Sequence, residues 1–135
     1  VTDEQNTVQN ALATDRVIDI TTTGKTSGEP RRIEIWFHRV GGRFYITGRP
    51  PRPRAWYANL IANPEFTFHL KQSATADLPA TARPVTDAAE RERVFGGIFA
   101  QLPELSTQPD APVELWLSQA PLVEVEFDDL ERDAA

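Results

Sequence analysis

Residues 21–32, Thr-Thr-Thr-Gly-Lys-Thr-Ser-Gly-Glu-Pro-Arg-Arg, gather the groups that bind anions: hydroxyls, two glycines and three cations. Glycine lets backbone N–H groups converge, while hydroxyls and guanidinium forks suit phosphate or carboxylate oxygens. The same residue types also make an ordinary solvated turn, so on composition alone both readings stand. Charge distribution bears on the choice. The chain carries a net charge of −6, yet residues 16–71 hold ten of its fourteen Lys and Arg against four acids. That segment is locally +6 inside an acidic protein. A local anion site accounts for this, as does chance clustering on wet strand faces. A nucleic-acid surface would normally be basic overall, which argues against that class.

Other chemistries are excluded by composition. With no Cys among 135 residues, disulfides, thiolate metal sites and cysteine nucleophiles are absent. Only His38 and His69 are available, too few for a His-based metal site; the alternation around each predicts a ring turned to solvent or a loop. No apolar run approaches a membrane span, and the acidic start does not read as a signal peptide, so a cytoplasmic protein is expected. At this length the expectation is one domain, 1–135, with a helical extension over 1–15 and a frayed tail over 128–135.

The elements that must position these residues follow from periodicity. Residues 3–12 predict a polar helix and 16–23 a strand. Residues 31–39 alternate, with Ile33, Ile35 and Phe37 on one face and Glu34, Trp36 and His38 on the other. Gly41-Gly42 signals a two-residue hairpin, and 43–47 is its return strand. The stretch 49–54, Arg-Pro-Pro-Arg-Pro-Arg, lacks the donors to continue a ladder. A two-turn helix is expected over 55–62 and a strand over 66–71. Residues 75–84 predict an edge strand because Pro79 lies inside it. Asp87 followed by Glu90 starts a helix reaching about Gln101. Residues 103–112 predict loop, 113–119 a short helix and 122–127 a last strand. Six mostly antiparallel strands with helices packed outside make an α+β, mainly β, small barrel.

Two motifs in order, the loop 21–32 and the helix Trp56-Tyr57-Ala-Asn59-Leu-Ile-Ala-Asn63-Pro64, resemble the deazaflavin-dependent nitroreductase family over residues 16–127. The family loop reads TTTGRxSGxPR and its helix WYxNLxANP. The resemblance implies a split β-barrel like that of the pyridoxamine-phosphate oxidases. It also implies a 5-deazaflavin cofactor, coenzyme F-420, whose phosphodiester and polyglutamate tail are anionic. By motif position Lys25, Ser27 and Arg31 would bind phosphate and tail. Thr47 and Gly48 would pass near the ring, Arg49 would supply charge from the loop that follows, and Trp56 and Tyr57 would wall the ring slot. Two departures stand out: Lys25-Thr26 lacks one cation of the family's basic pair, and prolines replace a small glycine-bearing loop. The implied function is a deazaflavin-dependent reductase that transfers hydride to a small unsaturated, quinone-like or nitro substrate. The alternatives are an FMN-dependent reductase on the same barrel and a non-catalytic cofactor carrier. No catalytic residue is assigned; a homodimer is compatible with this reading. The family's nitroreducing members have tyrosines before the last strand, where this chain offers only Ser106, Thr107 and Ser118 as hydroxyls.

Overall fold

The computed structural model describes residues 3–50 and 54–128, the first four of them by backbone alone. Helix α1 (Asp3–Thr14) leads into strands β1 (Val17–Thr23), β2 (Pro30–Val40) and β3 (Arg43–Thr47). Helix α2 (Ala55–Ala62) precedes β4 (Glu65–Leu70) and β5 (Ala76–Pro84); α3 (Ala88–Gln101) and α4 (Val113–Gln119) precede β6 (Leu122–Phe127). The strands close a barrel in the order β1-β2-β3-β6-β5-β4, every neighbour antiparallel. The six-strand barrel with outer helices is thus the architecture the periodicity predicts. Gly41 and Gly42 both have positive φ, 61° and 77°, as a tight hairpin between β2 and β3 requires.

Closure removes sheet edges, and it corrects the reading of β5 as an edge strand. β5 pairs with β4 on one side and β6 on the other. Pro79 is tolerated because its ladder with β6 ends one residue away, at Ala80–Phe127. Pro79 O still accepts from Asp128 N at 3.2 Å, so the missing N–H falls where that ladder runs out. A second correction concerns 103–112: Pro103–Thr107 form a 3-10 turn within the expected loop. The expected tail lies, beyond Asp128, outside the described residues.

Two cores result from the period-2 pattern. Inward residues Ile18, Ile20, Phe37, Ile46, Phe68 and Phe127 fill the barrel, with Ala11 and Leu12 of α1 and Trp56 and Leu60 of α2 packed against them. Phe68 meets Phe37 and Phe127 edge-on, centroids 5.2 and 4.9 Å apart, the geometry that ring quadrupoles favour. The second core lies outside the barrel, where Tyr45 and Leu122 meet Val94, Phe95 and Ile98 of α3 and Trp116 of α4. Asp87 caps α3 by accepting from Glu90 N at 2.9 Å. The Glu90 carboxylate is drawn instead to Arg83, which also reaches the buried Glu124. Arg91 donates to four carbonyls, those of Val85, Trp116, Leu117 and Ala120, tying α3 to the C-terminal end of α4. Its desolvation lowers its pKa from the usual arginine value.

Candidate functional site

The inward row of β2 runs Phe37, Ile35, Ile33, Arg31, and its exposure rises along that row. Phe37 is sealed in the core, whereas Ile33 is 36% exposed. At that end the barrel opens into a cavity of about 350 Å³, between the β1–β2 loop, Arg31 and Ile33, and the first turns of α2. The loop is self-closed: Gly24 N donates to Glu29 O at 2.8 Å and Gly28 N to Gly24 O at 3.0 Å. Ser27 Oγ accepts from Glu29 N at 3.1 Å. A Cβ on Gly24 would stand 2.5 Å from Ser27 Oγ, so a larger residue would displace the hydroxyl. Buried Asn59 ties this loop to α2. Its Oδ1 accepts from Lys25 N at 2.8 Å, and its Nδ2 donates to Thr22 Oγ1 at 3.1 Å.

The lining is chemically one-sided. Lys25 and Arg31 supply two cations and Thr22, Thr26 and Ser27 three hydroxyls, while no acid among the described residues lines the cavity. Neither Lys25 nor Arg31 has an ion-pair partner among the described residues, in contrast to Arg32, which pairs with Asp19 at 3.0 Å. Adjacent strand residues face opposite ways, so Arg31 turns to the cavity and Arg32 to the outer surface. Ile33, Ala55 and Trp56 form an apolar wall beside the polar loop. The donor set fits an anionic group with an apolar body attached.

Of the residues singled out by motif, the structure brings together Lys25, Ser27, Arg31 and Trp56 on this cavity. Trp56 is also core, 7% exposed and packed into the barrel. Tyr57 meets Trp56 edge-on at 5.9 Å but does not line the cavity. Thr47, Gly48 and Arg49 are not among the lining residues either. The Thr47 hydroxyl donates to Pro121 O, Gly48 packs on the Arg54 side chain, and Arg49 pairs with Asp110. Arg52 falls outside the described residues. Thr22, Ile33 and Asn59 are lining residues that sequence reasoning did not assign to a site; the family helix motif contained the signal for Asn59. Ser106, Thr107 and Ser118 each donate to a carbonyl of their own segment, and none reaches the cavity.

Both histidines depart from expectation. His38 is 5% and His69 7% exposed, the latter enclosed by its hydrogen-bond partners Asp77 and Thr21. Burial lowers the His38 pKa to about 4, with the Arg16 charge adding to the effect. No group of three or more His, Cys, Asp or Glu among the described residues is placed to hold a metal. No helix among them is long and apolar enough to cross a membrane.

A closed six-strand antiparallel barrel with helices outside it is the framework of the split-barrel flavin-type proteins. Residues 2–113 match the model of the F-420H(2)-dependent quinone reductase family, and the chain belongs to that family. It is a deazaflavin-dependent oxidoreductase. Among solved structures it is similar to an F-420-H2-dependent reductase at 26% identity, covering 83% of this chain and 95% of the other, TM-score 0.59. A structure described as a domain-swapped dimer is 24% identical over 91% of this chain and 90% of its own, TM-score 0.62. The same fold recurs in a Clostridium acetobutylicum protein of the pyridoxinephosphate oxidase family, at 14% identity over 94% and 87%, TM-score 0.61.

Proposed function

We propose that the chain binds coenzyme F-420 at the barrel mouth and passes hydride from its reduced form to a small unsaturated, quinone-like or nitro compound. The observation that carries this reading is the Lys25–Arg31 couple, which among the described residues has no ion-pair partner and faces a cavity that no acid lines. Lys25, Ser27 and Arg31 would hold the anionic arm, with charge-assisted hydrogen bonds that are among the strong ones. Asn59 would keep the loop backbone in place, and Ile33 and Trp56 would exclude water from one side of the ring. The bound cofactor supplies the hydride; the protein supplies orientation and a dry surface. The family match names the deazaflavin, and the FMN alternative draws no support from it.

The related domain-swapped dimer supports a homodimer as the assembly state, which light scattering checks. The compartment assigned is the cytoplasm. Competitive titration with coenzyme F-420 and FMN tests the cofactor: tighter deazaflavin binding is expected, and equal or tighter FMN binding overturns the ranking. Oxidation of the reduced coenzyme on adding a quinone or nitroarene then separates an enzyme from a carrier.

A further inference from the structure

The outer face of the barrel carries a second cluster that the cofactor reading does not use. His69 on β4 is held at both ring nitrogens. Its Nδ1 lies 2.6 Å from Asp77 Oδ1 on β5, and its Nε2 lies 2.7 Å from Thr21 Oγ1 on β1. The carboxylate at Nδ1 fixes the proton there, which leaves the Nε2 lone pair to accept from the threonine hydroxyl. On the far side of Thr21, its cross-strand neighbour is Arg32 of β2. Arg32 spends its Nε on Asp19, while Lys71 holds the other Asp19 oxygen at 2.7 Å. The remaining guanidinium nitrogens of Arg32 have no hydrogen-bond partner among the described residues. Asp77 lies directly across from His69, whose partner on β1 is Asp19; Thr21 stands two residues further along β1, opposite Arg32.

A histidine paired only for stability needs any acceptor and any donor. Here the order is hydroxyl, imidazole, carboxylate, which is the arrangement that activates an oxygen nucleophile on unrelated folds, and Arg32 is the cross-strand neighbour of the hydroxyl-bearing residue. We propose that Thr21 is a nucleophile that takes an acyl group from activated esters, with His69 as its general base. Asp77 is a positioning residue acting through His69, and Arg32 stabilises the oxyanion. Thr21 Oγ1 attacks the carbonyl carbon as its proton passes to His69 Nε2. The ester C–O bond then breaks, and the leaving alkoxide or phenoxide departs with the proton or as the anion. Asp77 and Arg32 are 73% and 55% exposed at their side chains, so the ester arrives from solvent. With an open surface in place of a walled pocket, the outcome is slow self-acylation, on the face opposite to Thr22 and the cavity.

Incubation with p-nitrophenyl acetate, followed by nitrophenolate absorbance and peptide mass analysis, tests this. A burst approaching one equivalent, with the acetyl group on Thr21, is expected. Thr21→Val should abolish both the label and the burst, Thr21→Ser should keep both, and His69→Gln should slow the burst roughly 100-fold, the ordinary scale of general-base assistance. Asp77→Asn should slow the burst, with Asp77→Glu restoring part of it. Acetylation confined to lysines, or an unchanged burst in Thr21→Val, overturns the proposal. The position of the label on the unaltered protein decides the matter even if a variant fails to fold.

Discussion

Arg31 and Arg32 are neighbours with opposite surroundings, one beside the cavity with no ion-pair partner among the described residues and one paired with Asp19. A hydrogen bond to a charged group contributes roughly 1.5–3 kcal/mol. At about 1.4 kcal/mol per tenfold, Arg31→Ala should weaken coenzyme F-420 binding about 10- to 150-fold. Arg32→Ala should change that binding far less, and calorimetric titration of both variants makes the comparison. Trp56 behaves differently, since it is a wall of the cavity and a core residue at once. Trp56→Ala should cost roughly 3–5 kcal/mol of stability by the cavity it leaves, in addition to weakening the ligand. Thermal melts beside titrations separate the two losses. The contrast explains what was legible. The loop and its cations could be read because local composition and a contiguous motif report them. Thr47, Gly48 and Arg49 are not among the residues that line the cavity; motif order gives position along the chain and not direction in space. Thr22 and Asn59 escaped because their role arises from a side-chain bridge between β1 and α2, separated by 37 residues.

At the scale of elements, period-2 alternation marked β2 and β4, the Gly41-Gly42 turn marked β3, and Asp87 marked the start of α3. The ring closure that turns β5 from edge to interior is a long-range pairing and leaves no local signature. Arg91 belongs to the same class of hidden information. In sequence it is one of several charges on α3; in the fold it ends α4 by donating to Trp116, Leu117 and Ala120 and reaches Val85 as well. Arg91→Met keeps much of the stem but strands these acceptors. Removing hydrogen bonds to a charged group costs roughly 1.5–3 kcal/mol, so a fall in the urea midpoint with coenzyme affinity nearly retained is expected. A larger effect on affinity than on stability would mean that α4 shapes the mouth directly.

For the whole molecule, acid sensitivity should begin at His38. Its folded pKa, about 4, lies below the ordinary 6.5, so the fold favours the neutral ring. The associated stability is present in full above pH 6.5 and is lost as pH falls from 6.5 towards 4, where the unfolded chain binds a proton that the folded one refuses. The total loss is on the order of 3 kcal/mol, from about 1.4 kcal/mol per pKa unit. Asp19, held low first by its hydrogen bond to Lys71, and Glu90, held low by Arg83, add losses only as pH drops below the usual carboxylate range. Urea midpoints at pH 7, 5.5 and 4.5 should decline, and His38→Gln should flatten that slope.

The three tryptophans stand at three depths: Trp36 at 49% exposure, Trp56 at 7% and Trp116 at 2%. They give the molecule an optical readout of its own. Iodide in solution should quench Trp36 emission alone, leaving a blue-shifted signal from the buried pair. Of that pair, only Trp56 borders the mouth, while Trp116 is packed between α3 and α4. A chromophore entering the mouth should therefore darken the iodide-resistant light in part, and a Trp116→Phe variant should make that darkening a larger share of what remains.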